Sequence, residues 1–359
     1  MNPAGARALP GLLAHDKLTK HRAWGETSMG TMCKWALAGM MASFTLGAAA
    51  PAVADEALAS LPARIELIPF ESLTLPDSAF LKGDKGAAKP TLLAAELHIA
   101  QGAGKRPLVV LLHGSGALNG GHELWAREFA QMGVSTLMID AFTGRGIVAT
   151  SNNQGLLGRL NMVLDTYRAL DRIKDHPRVD TSRVALIGFS RGGQSTLYAS
   201  LERFHAMWNQ SGVDFAAYFP FYADCVTTFV DDTKVKPVPI RMHHGDIDDY
   251  NPAAQCVAFV DRLKAAGRDV QISLYKDAAH SFDGPLGPPK PTLSARSMTV
   301  RNCVLKEEPL GQITNMKTGQ AFTYTDPCVE RGPHAGYNAE AAKAARASVR
   351  ESLRTIFKL

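Results

Sequence analysis

Gly188-Phe189-Ser190-Arg191-Gly192-Gly193 decides the reading of this chain. The run before it, Arg183-Val184-Ala185-Leu186-Ile187, is apolar without alternation, as a strand buried on both faces requires. The stretch after it, Gln194 to Met207, reads as a helix. The hexapeptide is therefore a sharp strand-to-helix turn with a serine at its apex, the context in which G-x-S-x-G carries chemistry. Ser190 must take a strained backbone angle there, and Gly188 and Gly192 leave room for the crossing backbones. The amide of Arg191 falls at a helix N-terminus, where it can stabilise an oxyanion.

Outward from this turn, strands and helices alternate. Ala63–Leu75 and Thr91–Ala100 read as two antiparallel edge strands, with a loop over Pro76–Pro90. Leu108–Leu112 is a buried parallel strand that ends in His113-Gly114-Ser115-Gly116. His122–Met132 is a helix stopped by Gly133, Val134–Asp140 a strand, Ala141–Asn153 a polar loop and Leu156–Ile173 a long amphipathic helix. After the serine come a helix over 191–207 and strands over Phe215–Phe221 and Pro237–His243. The helix Ala253–Ala266 and the strand Val270–Tyr275 follow. Gly284–Gly336 breaks the alternation and is rich in Pro and Gly; it reads as an insertion over or beside the site. Asn338–Phe357 is a last helix. The pattern predicts one doubly wound α/β domain over 55–359 with a mostly parallel sheet.

The ends of these strands carry the reactive groups. In an open parallel sheet the ligand sits at the strands' C-terminal ends. Ser190, a cluster of Asp246, Asp248 and Asp249, and His280 all fall there, in the chain order Ser, Asp, His. Ser190 needs a base, His280 can be that base, and the base needs a carboxylate to hold its tautomer. By spacing alone the three aspartates are equal candidates.

The constellation resembles the dienelactone hydrolase family, a branch of the α/β-hydrolase fold. The likeness lies in Gly245-Asp246-Ile247-Asp248 followed by Pro252 and Cys256, in Tyr275 to Asp283 with its Tyr-x-x-Ala-x-His-x-Phe pattern, and in the serine turn. It spans Leu108–Asp283 and the last helix. It implies that Asp248 is the acid, with Asp246 a turn residue and Asp249 a helix cap or solvent-facing. Two departures stand out. The family's type members use a cysteine nucleophile, where this chain has Ser190. They also carry an acidic residue in the loop after the first central strand, where this chain has His113-Gly114-Ser115-Gly116. The resemblance thus implies a serine hydrolase for a small-molecule ester or lactone. Ser190, His280 and Asp248 would act in turn, the amides of Arg191 and Ser115 would bind the oxyanion, and no metal or organic cofactor is needed. Two other readings stand beside it: a peptidase or acyltransferase on the same fold, and a non-catalytic binding protein on a hydrolase scaffold.

The remaining candidates have ordinary roles. His113 braces the oxyanion loop. His243 and His244, adjacent on a strand, point to opposite faces and so make a poor metal pair. Arg191 can form a structural salt bridge or meet a substrate carboxylate. Trp125, Tyr218, Phe219, Phe221 and Tyr222 read first as core, with a pocket-lining role as the alternative.

The 359 residues carry a formal charge of +5. Residues 1–54 hold five of the basic and two of the acidic side chains, which leaves 34 against 32 in the rest. No basic stripe remains for nucleic acid. Lys34, the apolar run Trp35–Gly47 and Ala52-Val53-Ala54-Asp55 read as a signal peptide cleaved after Ala54, with Met29 or Met32 as alternative starts. That implies export to the periplasm or beyond, with no membrane anchor left after cleavage. Cleavage leaves Cys225, Cys256, Cys303 and Cys328, which allow three connectivities. Neighbouring strands bring Cys225 and Cys256 to one sheet edge, and Cys303 and Cys328 lie within the insertion. The expected bridges are therefore Cys225–Cys256 and Cys303–Cys328.

Overall fold

The computed structural model describes residues 63–309 and 311–359. The expected leader lies outside them. An eight-stranded sheet runs in the order β1-β2-β4-β3-β5-β6-β8-β9. Its strands are β1 (Arg64–Thr74), β2 (Lys89–Ile99), β3 (Arg106–Leu112), β4 (Ser135–Asp140), β5 (Val179–Phe189), β6 (Ala217–Phe221), β8 (Ile240–Gly245) and β9 (Val270–Tyr275). The pair β7 (Thr227–Thr228) lies outside this sheet. β1 and β2 are antiparallel, β2 joins β4 antiparallel, and every later pairing is parallel. This is the mostly parallel, doubly wound sheet that the alternation predicts, and the α/β-hydrolase fold that the resemblance implies.

The continuous apolar runs serve two layers. Val109, Leu111, Ala185, Ile187 and Phe219 face one core, with Trp125 and Phe129 of α2 (Gly120–Gln131) and Ala345, Val349 and Leu353 of α7 (Ala339–Phe357). Leu108, Val110, Leu112, Leu186 and Tyr218 face the other. There they meet α3 (Asn161–Ile173) through Tyr167 and Leu170, and α6 (Ala253–Ala265) through Phe259 and Val260. Period-2 alternation splits each buried strand between the two cores. The edge strand β1 has only one covered face: Ile68 and Phe70 are buried, whereas Ile65 and Leu67 are exposed.

Three local expectations need correction. The loop over Pro76–Pro90 contains a short helix, α1 (Asp77–Lys82), stopped by Gly83 at φ 68°. The single helix over 191–207 is two, α4 (Arg191–Tyr198) and α5 (Glu202–Trp208). Leu201 forms a bridge to Val235, and the Ser200 carbonyl accepts from Lys236 N–H, so tertiary partners replace the helical bonds. The helix expected from Leu156 begins only at Asn161. Before it, the carbonyls of Leu157 and Gly158 accept from the guanidinium of Arg191.

Residues 284–336 form short ladders. Thr292–Leu293 pairs with His334–Ala335, Met298–Thr299 with Glu330–Arg331, and Leu305–Glu308 with Gln312–Asn315. Both expected disulfides are present, Cys225–Cys256 and Cys303–Cys328. Among the described residues no helix is long and apolar enough to cross a membrane.

Candidate active site

Parallel strands deliver their C-terminal ends to one side of the sheet, and four of these ends build the site. Ser190 sits between β5 and α4 at φ 54° and ψ −113°. That conformation is strained for a residue with a side chain. It is held by Ser190 N–H on the Phe221 carbonyl at 3.0 Å and by Gln194 N–H on the Ser190 carbonyl at 2.8 Å. The flanking glycines are sterically required. A Cβ on Gly188 would stand 2.2 Å from the Gly192 carbonyl oxygen, and one on Gly192 would stand 2.4 Å from that of Leu112.

His280 follows β9. Its Nε2 lies 2.9 Å from Ser190 Oγ, and its Nδ1 lies 2.8 Å from Asp248 Oδ2. The other oxygen of Asp248 accepts the backbone N–H groups of Tyr250 and Asn251, both at 2.9 Å. Burial alone would raise the Asp248 carboxyl. The imidazoles of His280 and His244 outweigh it and hold the group well below the usual carboxylate range. The Tyr250 ring stacks on His280 at 4.4 Å, and Tyr222 meets it edge-on at 4.8 Å. The His280 ring is thus fixed by a carboxylate on one nitrogen and by two aromatic rings, one stacked and one edge-on.

The amides of Arg191 and Ser115 donate no hydrogen bond to any described residue. His113 braces the turn between them: its Nδ1–H donates to the Gly114 carbonyl at 2.7 Å, and its Nε2 accepts from Ala141 N–H at 3.2 Å. Burial pushes His113 down to about 4. A cavity of about 260 Å³ opens beside Ser190, with Trp125, Tyr222 and Tyr250 in its wall. Tyr218, Phe219 and Phe221 are core.

The three aspartates part company. Asp248 meets the histidine and Asp246 is exposed in a turn. Asp249 caps no helix; its side chain is 39% exposed and also paired. Its carboxylate accepts from His334 N–H at 2.7 Å and meets Arg301 at 3.2 Å, while Arg301 also donates to the Asp249 carbonyl. Thr299 Oγ1 donates to the Tyr250 carbonyl, and Gly336 N–H to that of His280. Residues 284–336 are therefore tied both to the loop that carries Asp248 and to His280.

Residues 93–357 match the model of the Dienelactone hydrolase family. The chain belongs to this family. It is a carboxylic-ester hydrolase. An uncharacterized protein of Caenorhabditis elegans, K02A2.1, is 26% identical over 117 residues, covering 33% of this chain and 70% of that one. Among solved structures, a dienelactone hydrolase-like promiscuous phosphotriesterase from metagenomic libraries superposes with a TM-score of 0.53. The identity is 20%, with 82% of this chain and 98% of that one covered, a likeness of fold. A putative dienelactone hydrolase from Klebsiella pneumoniae is 15% identical at a TM-score of 0.45, over 61% of this chain and 89% of that one.

Within this dienelactone hydrolase family member, sequence reasoning missed three side chains. His244 donates from Nε2 to the Asn251 carbonyl at 2.6 Å and lies 3.5 Å from Asp248 Oδ2. Its i, i+4 spacing from Asp248 was the available signal. Tyr250 stacks on His280. Asp283, three residues past His280, accepts from Trp125 Nε1 and from Tyr222 OH, both at 2.7 Å. Arg191 departs from the salt-bridge expectation. Among the described residues its guanidinium meets no carboxylate; it donates to the Gln154 side chain and to backbone carbonyls.

Proposed function

We propose that this chain is an exported serine esterase that cleaves a carboxylic ester or lactone through an acyl-enzyme on Ser190. The observation that carries the reading is the unbroken chain Ser190 Oγ to His280 Nε2 to Asp248 Oδ2, at 2.9 and 2.8 Å. His280 takes the proton of Ser190 as Oγ attacks the carbonyl carbon. The amides of Arg191 and Ser115 receive the oxyanion. His280 then returns the proton to the leaving alkoxide, and water deacylates the serine by the same steps in reverse order. Asp248 stays ionised and holds His280 with its proton on Nδ1.

A fluorophosphonate probe tests this reading. It is expected to label Ser190 in the native protein and to leave Ser190→Ala unlabelled. Residual ester hydrolysis by a clean Ser190→Ala preparation above about one part in ten thousand of native turnover would overturn it.

The same proposal places residues 284–336 as an insertion on a single hydrolase domain over 55–359, and the protein outside the cytoplasm. The two disulfides support an oxidising compartment. N-terminal sequencing of the protein from its native source is expected to begin at Asp55. A retained leader would count against export.

A further inference from the structure

The wall of the cavity beside Ser190 carries a single formal charge. Among the described residues no lysine or arginine lines it, and Asp283 is its one carboxylate; a smaller cavity of about 30 Å³ that also meets Ser190 is lined by Arg191 and Asp224. Asp283 is buried, and both of its oxygens act as acceptors, for Trp125 Nε1 and for Tyr222 OH. Both oxygens are thus engaged by side chains of the cavity wall, which fixes the carboxyl in place. His122 shares the wall and does not offset the charge. Its Nδ1 accepts from Asn119 N–H at 3.0 Å, which leaves the proton on Nε2. Burial holds His122 down to about 4, so near neutral pH it is an uncharged donor.

Two arginines stand close to this wall, Arg191 and Arg346. The two terminal nitrogens of Arg191 donate to Gln154 and to the carbonyls of Leu157 and Gly158, whereas its Nε meets no acceptor among the described residues. Arg346 lies 4.1 Å from the Trp125 ring centre, pairs with Glu128, donates to the Asp283 carbonyl, and lines a separate cavity. A substrate carboxylate entering the larger cavity would therefore lose water, find no cation in its wall and face the Asp283 carboxylate.

We infer that Asp283 is a specificity-determining residue, which restricts the site to esters whose cavity-bound part is uncharged or cationic. This rests on the Ser190 reading above.

The test compares matched esters by pH-stat at about pH 8 and about 0.15 M salt, where surface charges are screened and the cavity charge is not. Methyl hexanoate against monomethyl adipate puts the charge on the acyl part. Butyl acetate against 4-acetoxybutanoate puts it on the alcohol part. In at least one pair the charged member is expected to show kcat/KM lower by about tenfold or more, the scale of an unscreened like-charge contact. Asp283→Asn removes the charge and keeps an acceptor, and it is expected to narrow that ratio to about threefold or less. Ser294→Lys, a cation at a half-buried place on the same wall, is expected to narrow it as well and serves if Asp283→Asn does not fold. Ratios near unity in both native pairs, or a ratio that neither variant moves, would overturn the inference. Failure on the neutral esters, or hydrolysis that survives Ser190→Ala, would overturn the Ser190 reading instead.

Discussion

At the scale of single residues, the arrangement turns on which aspartate faces His280. Asp248 and Asp249 are chain neighbours, yet one meets His280 and the other meets Arg301 and His334. Asp248→Asn can present an amide N–H to His280 Nδ1 and so favour the wrong tautomer. We expect a loss of about ten-thousandfold in kcat, the scale seen in the best-studied serine triad. Asp249→Asn keeps the triad contacts and is expected to cost less than about tenfold, through a looser tie to residues 284–336. Steady-state kinetics on one activated ester decide between them: a crippled Asp249→Asn beside an active Asp248→Asn would reverse the roles. The register was legible only through the family's Gly-x-x-Asp spacing, because three aspartates within four residues look alike to composition and periodicity. The fate of Arg191 was not legible at all. Its partners are carbonyls more than 30 residues upstream, and a carbonyl leaves no mark in the sequence.

At the scale of elements, what could be read followed from local rules, and what could not came from distant partners. The strand before Ser190 and the glycines around it are dictated by burial and by backbone crossings closer than 2.5 Å to any added Cβ. The break between α4 and α5 is made by Val235 and Lys236, more than 30 residues away, so helix propensity alone continues through it. The six-residue α1 is too short for periodicity to register. Residues 284–336 are the clearest case. They hold mostly two-residue ladders, which carry little cooperative stability of their own. The Cys303–Cys328 bridge, with a separation of 25 residues, constrains their unfolded ensemble. Replacing both cysteines by serine is expected to destabilise this segment by about 3 kcal/mol on the chain-entropy model. Limited proteolysis of the non-reduced protein should then cut first within 284–336. Unchanged cleavage kinetics would mean that the ties to Asp249, Tyr250 and His280 hold the segment without the bridge.

At the scale of the whole molecule, the two cores enclose histidines as well as apolar side chains, and this sets the response of the fold to acid. His113 at the end of β3, His122 in the cavity wall and His243 on β8 are each nine-tenths buried or more. Burial pushes them down to about 4, about 4 and about 3. In the unfolded chain a histidine titrates near about 6.5, so below that pH the unfolded state binds protons that the folded state refuses. Stability from these groups is therefore full above about pH 6.5 and drains away as pH falls toward about 4, by up to about 3 kcal/mol for each of the three. Asp248 acts in a different window. Its folded pKa is depressed, so its contribution is present above the ordinary carboxylate range and is lost only in stronger acid. The loss between about pH 7 and about pH 5 is thus a histidine effect. Urea unfolding of the oxidised protein is expected to show a midpoint that falls steeply across that interval at constant m-value. His243→Phe is expected to flatten part of the fall, because it removes the ring that must stay neutral between Phe221 and Tyr275. A midpoint that holds level from about pH 7 to about pH 5 would mean that these rings take up protons without unfolding.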